Sequence, residues 1–130
     1  MEKEFILYEH ALALKELGFN ERCIGRYCIV TEWEEPTGEI LLQFIDCELS
    51  EKTLVKAPLK QQIFRFFREK YELIASIRYN MFPDMGGKQY YFEYGYRTSG
   101  ERYLTYEQAE NACINELLEL AKQHEDENNN

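Results

Sequence analysis

Tyr90, Phe92, Tyr94 and Tyr96 place a ring at every second position of Lys88-Gln-Tyr-Tyr-Phe-Glu-Tyr-Gly-Tyr-Arg97. A period of two is the signature of a strand, and it aims all four rings at one side of a sheet. That side is either a platform on which bases stack or the protein's own core. The other face reads Gln89, Tyr91, Glu93, Gly95 and Arg97 and is the more soluble of the two, so the ring side is expected inside. The glycine-rich, basic pattern of an RNA-recognition strand is also missing. Upstream, Leu73 to Phe82 is strand-like, and Pro83-Asp-Met-Gly-Gly87 supplies glycines for the positive φ of a hairpin loop. The aromatic stretch is therefore read as one arm of a hairpin.

The same reasoning organises the rest of the chain. Ala11, Leu12, Leu14 and Leu17 lie near helical spacing, and Gly18 followed by Phe19 suits a helix that ends in a left-handed residue with an apolar contact behind it. Residues 23 to 33 and 39 to 47, rich in β-branched and aromatic side chains, flank the turn chemistry of Glu34-Glu-Pro-Thr-Gly38 and predict a first hairpin. Pro58 fits the first position of a second helix running to about Tyr71, with Leu59, Ile63, Phe64, Phe66, Phe67 and Tyr71 on one arc. Thr105-Tyr-Glu-Gln108 has the form of a capping box and opens a third helix to about Lys122, with an apolar stripe of Tyr106, Ala109, Cys113, Leu117, Leu120 and Ala121.

The resulting order is α-β-β-α-β-β-α. It predicts an α+β fold in which two antiparallel hairpins form a four-stranded sheet packed against helices. With 130 residues the chain is sized for one domain, expected over residues 1–123, followed by a frayed acidic and asparagine tail at 124–130.

Charge narrows the function. The net charge is −9, yet residues 52 to 78 hold Lys52, Lys56, Lys60, Arg65, Arg68, Lys70 and Arg78 against only Glu69 and Glu72. An acidic whole disfavours nonspecific nucleic-acid binding, because phosphate contacts dominate that affinity. The basic middle third leaves room for a local anionic partner. Arg65 and Arg68 share the outward side of the second helix with Gln61, close to Lys56 and Lys60. The spacing of Arg65 to Glu69 and of Arg68 to Glu72 equally suits ordinary ion pairs within a helix. On the second hairpin, Tyr91 and Arg97 share the outer face with Glu93. Lys56, Lys60, Gln61, Arg65, Arg68, Tyr91 and Arg97 are thus the candidate partner-binding residues.

Little suggests chemistry. Cys23 and Cys28 are five apart on one expected strand and face opposite sides; with Cys47, Cys113, His10 and His124 they form no zinc spacing, and reduced thiols are expected. His10 beside Glu9 is the one base worth naming, but neighbours on a helix point about 100° apart, so a solvent-facing or capping role is expected. There is no nucleophile elbow, phosphate loop or zinc-protease helix. No catalytic, cofactor-binding or metal residue is therefore assigned. Met1-Glu-Lys-Glu-Phe-Ile-Leu-Tyr8 lacks the form of a secretion signal and no apolar run reaches membrane-spanning length, which suggests a cytoplasmic protein with no membrane partner.

Three segments, Phe5-Ile-Leu-Tyr-Glu-His-Ala-Leu-Ala-Leu-Lys-Glu-Leu-Gly-Phe19, Ala57-Pro-Leu-Lys-Gln-Gln-Ile-Phe-Arg-Phe-Phe-Arg-Glu-Lys-Tyr71 and Thr105-Tyr-Glu-Gln-Ala-Glu-Asn-Ala-Cys113, together resemble a group of small uncharacterised proteins of phages and mobile elements of gut Bacteroidales. That resemblance implies a mobile-element origin and an intracellular setting in a bacterial host, and it assigns no activity or residue role. The expected function is a non-enzymatic interaction module that binds a protein partner. The alternatives are a nucleic-acid-binding accessory protein using residues 52–78, and an enzyme whose site is assembled from the hairpins.

Overall fold

The computed structural model describes residues 4–21, 23, 25–28, 40–42, 54–82 and 85–128. Its fold is α+β, with helices and antiparallel strands as expected. The chain divides into two compact units, Met1–Gln62 and Ile63–Asn130. Among the described residues the strands form two three-stranded sheets and not one sheet of four. Each expected hairpin is present and each has gained a third strand.

In the first unit, helix α1 covers Tyr8–Glu16 and the strands are β1 (Gly25–Cys28), β2 (Ile40–Leu42) and β3 (Leu54–Ala57), in the order β2-β1-β3. The turn expected at 34–38 lies outside the described residues. The end of α1 is the one anticipated: Gly18 takes φ 84°, its N–H donates to the Lys15 carbonyl at 3.1 Å, and the Phe19 N–H reaches back to the Leu14 carbonyl at 3.0 Å. This pair of bonds satisfies carbonyls that the helix leaves open, and Leu14 and Phe19 are both buried behind it. The buried side of α1 is His10, Ala11 and Leu14, while Leu12 points outward. The apolar stripe is thus turned from the expected one.

β3 falls between the expected first hairpin and second helix, where the sequence predicted no strand. It pairs with β1 through Gly25↔Ala57 to Cys28↔Leu54. Pro58 consequently stands outside the helix: its carbonyl accepts from the Ile6 N–H at 3.2 Å, and Phe5 bridges to Leu59. Helix α2 begins two residues later and runs over Lys60–Tyr71.

The second unit takes up most of α2 and adds β4 (Ala75–Tyr79), β5 (Tyr90–Tyr94), β6 (Arg97–Thr98) and helix α3 (Tyr106–Asn128), in the sheet order β4-β5-β6. α3 lies against β4 and β5. Ile63, Phe67, Phe92, Cys113, Ile114 and Leu117 are buried, and each large apolar side chain taken from water contributes about 1.5–3 kcal/mol. The capping box is present: the Gln108 N–H donates to Thr105 Oγ1 at 3.2 Å, and the Thr105 N–H donates to Gln108 Oε1 at 3.3 Å. α3 continues to Asn128, through most of the segment read as a frayed tail.

The ring-bearing strand is shorter than its alternation. Phe92 is buried and Tyr90 and Tyr94 are half-buried, but the strand stops at Tyr94. Gly95 takes φ 59° at the first position of a two-residue loop, a left-handed conformation that glycine adopts at least cost. Tyr96 sits at the tip of that loop, fully exposed, and is not part of the inward row.

Candidate functional site

The hairpin register decides where the sheet residues stand. Tyr91 lies opposite Arg78, and Glu93 lies opposite Ser76. Directly opposed residues share a face, so Tyr91, Glu93, Ser76 and Arg78 form the outer side of the sheet. There Arg78 Nε donates to Glu93 Oε2 at 3.1 Å. Arg97 lies opposite Tyr94 and therefore belongs to the ring side, away from Tyr91 and Glu93. The Gly95–Tyr96 loop reverses the chain before Arg97, and this reversal overturns the face read from continuous alternation.

The basic candidates are also sorted by the structure. In the first unit, Lys60 is only 4 % exposed, so it is not part of a docking surface. Its burial follows from the late start of α2, which puts Lys60 in the first turn beside the packed Pro58. Lys56 donates through Nζ to Asn20 Oδ1 at 3.0 Å and to the Glu21 carbonyl at 3.1 Å. Gln61 is exposed, and in the second unit so are Arg65 and Arg68. The expected Arg65–Glu69 and Arg68–Glu72 ion pairs are absent among the described residues. α2 ends at Tyr71, and Glu72 turns away with φ 57°.

His10 is buried, contrary to the solvent-facing role expected for it. Burial lowers its pKa, with the Glu9 carboxylate opposing the shift and the Lys60 ammonium adding to it. Its Nδ1 is buried without a hydrogen-bond partner among the described residues. The imidazole is thus held neutral on the buried side of α1 with Ala11 and Leu14. Cys113 is fully buried and its thiol is pushed up to about 12, first by burial and then by Glu110 and Glu116. A thiol so protonated is inert as a nucleophile. Among the described residues no three His, Cys, Asp or Glu side chains gather as a metal site, and no helix is long and apolar enough to cross a membrane.

An open cleft of about 520 Å³ lies in the second unit, lined in part by Lys88, Glu101, Arg102, Tyr103, Gln108 and Asn111. Much of its polar capacity is spent on structure. Arg102 Nη1 donates to the Phe82 carbonyl at 3.1 Å, and Gln108 Oε1 serves the helix cap. Burial, followed by the Glu101 charge, raises the Tyr103 pKa and keeps its hydroxyl neutral. Asn111 Oδ1 alone is buried without a partner.

The most distinctive surface was not anticipated. At the end of the sheet where β4 passes to β5, Tyr79, Met81 and Phe82 are 55 %, 74 % and 78 % exposed. The segment is fixed from both sides: the Phe82 N–H donates to Asn80 Oδ1 at 3.0 Å, Gln89 Nε2 donates to the Met81 carbonyl at 3.4 Å, and Arg102 holds the Phe82 carbonyl. Three rings continue the surface, with Tyr79 and Tyr90 centroids 5.2 Å apart and Tyr90 and Tyr106 6.2 Å apart, both edge to face. Leu104 and Tyr106 are exposed beside them. Scattered exposed apolar side chains are ordinary, and it is their nearness along one short stretch that sets Tyr79, Met81 and Phe82 apart. Reading Leu73 to Phe82 as one strand hid this surface; Asn80, a turn former, was the available signal.

No protein-family profile, curated protein or solved structure matches this chain.

Proposed function

We propose that the chain is a non-enzymatic interaction module that binds a protein partner at the apolar end of its second unit, formed by Tyr79, Met81, Phe82, Leu104 and Tyr106. The observation that carries this reading is the exposure of large apolar side chains at one end of a sheet, on backbone fixed by Asn80 and Arg102. Aromatic and methionine side chains supply large contact area, and they are enriched where protein surfaces meet. The titratable groups support the same reading: among the described residues His10 and Cys113 are buried and neutral. The proposed setting, the cytoplasm of a bacterial cell carrying a phage or mobile element, rests on the resemblance of the three helical segments.

Nucleic-acid binding through residues 52–78 draws less support. Lys60 is buried, Lys56 is engaged by Asn20 and Glu21, and Arg78 is neutralised by Glu93. Among the described residues of that segment Arg65, Arg68 and Lys70 are exposed, and Lys70 Nζ lies 3.9 Å from Glu125. Affinity capture from host extract separates the two readings. A Tyr79→Ser, Met81→Ser, Phe82→Ser variant is expected to lose a discrete protein that the native chain retains, while Arg65→Glu with Arg68→Glu keeps it. Loss with the arginine variant alone, or release of the captured material by nuclease, would overturn the proposal.

A further inference from the structure

Among the described residues, the hydrogen-bond phase of the second sheet leaves one edge of β4 unpaired. The Asn80 N–H donates to the Gln89 carbonyl at 2.9 Å, and the Gly95 N–H donates to the Ile74 carbonyl at 3.1 Å. In an antiparallel ladder backbone groups alternate in direction, so Ile74, Ser76, Arg78 and Asn80 face β5. Ala75, Ile77 and Tyr79 then direct their N–H and C=O groups outward. β5 shows the matching phase: Tyr90, opposite Tyr79, turns its backbone the other way and exchanges bonds with Tyr103, the donation from Tyr90 measuring 3.0 Å. Among the described residues, no strand pairs with the outer side of β4.

Unpaired edges are ordinarily guarded by lysine, proline, a bulge or an inward charge. The strand Ala75-Ser-Ile-Arg-Tyr79 has none of these devices. Its one charge, Arg78, is met by Glu93 in the same sheet, so the edge brings no net charge to an approaching strand.

We propose that β4 pairs antiparallel with β4 of a second copy of this chain, about a two-fold axis at Ile77, to make one continuous sheet. The inference rests on the reading of this unit as a protein-contact module and names one partner for it. The strand is self-complementary in that register. Ile77 meets the partner's Ile77, and the small Ala75 meets the large ring of the partner's Tyr79. Ser76 meets the partner's Arg78. These pairs place the outward-facing residues opposite one another, as shared hydrogen bonds require, and set no like charges face to face. A slip of two residues one way brings Arg78 against the partner's Arg78. The opposite slip carries Tyr79 past the end of the partner's β4. In the same register Ile74, 64 % exposed, falls opposite the partner's Asn80.

Sedimentation equilibrium of the full chain tests this. The native protein is expected to move from the monomer mass towards twice that mass as concentration rises, with slowed exchange of the Ala75, Ile77 and Tyr79 amides. Ser76→Lys sets two like-charge pairs across the dyad, and is expected to weaken association about tenfold. Ser76 is exposed and opposite Glu93, so the substitution leaves the fold intact, as circular dichroism would verify. A native chain that stays monomeric up to about 1 mM, or a Ser76→Lys variant that dimerises like the native chain, would overturn the pairing. If the pairing fails while capture still depends on Tyr79, Met81 and Phe82, the second-copy inference alone falls; if that dependence fails too, so does the module reading.

Discussion

The Tyr71 hydroxyl donates to Glu125 Oε1 at 2.8 Å, fastening the last residue of α2 to the final turns of α3. Lys70 Nζ lies 3.9 Å from the same carboxylate and 5.2 Å from the Tyr71 ring centroid, and His124 meets that ring edge-on at 5.6 Å. Burial, then the hydrogen bond to Glu125, raises the Tyr71 pKa, so the phenol remains a donor. Tyr71→Phe should cost about 1 kcal/mol, the net worth of a half-exposed bond to a charged acceptor. Hydrogen exchange provides the check: amides near Glu125 speed up in the variant while those from Ala109 to Leu117 do not.

Gly95 is required by geometry and not by space. It takes φ 59°, and a Cβ built there meets nothing within 4 Å. Gly95→Ala should therefore cost about 1 kcal/mol, all of it conformational. The loss should appear as a lower urea midpoint with an unchanged slope, since the surface exposed on unfolding is the same.

His10 makes the first unit acid-sensitive. Its folded pKa is depressed below the ordinary 6.5, so the unfolded chain takes up the proton more readily. The associated stability is complete above about pH 6.5 and falls as pH drops from there through the folded value. Urea titrations at neutral and mildly acidic pH should show the native chain losing more stability than His10→Gln. Equal losses would mean that the imidazole titrates alike in both states.

The α3 cap makes a further prediction. Thr105→Ala leaves the Gln108 N–H without its Oγ1 acceptor and should cost about 1 kcal/mol. Thr105→Ser should restore most of it, which thermal melts of the three proteins would show.

Features held by neighbouring residues were readable in the sequence, and features set by distant ones were not. The Gly18 helix end and the Thr105–Gln108 cap each close within a few residues, so their chemistry is written locally. β3 was hidden because Pro58 fits a helix start, although Ala57, as the residue before a proline, already leaned towards extended backbone. The reversal at Gly95 had a signal too, a glycine inside an alternating run. Overriding it put Tyr96 in the core and Arg97 on the wrong face. Lys60 and His10 gave no such warning: tertiary packing buries them, and their residue types favour the surface. The apolar end emerged only once β4 stopped at Tyr79 and the chain beyond it was pinned by Gln89 and Arg102.

The claim that this end is a protein-contact surface is tested most directly by cross-linking in cells, with a photoreactive phenylalanine analogue replacing Phe82 in one strain and Glu119, exposed on α3, in another. Illumination should give a discrete protein adduct from position 82 and none from position 119. The absence of any adduct at 82, or the same products from both positions, would contradict it.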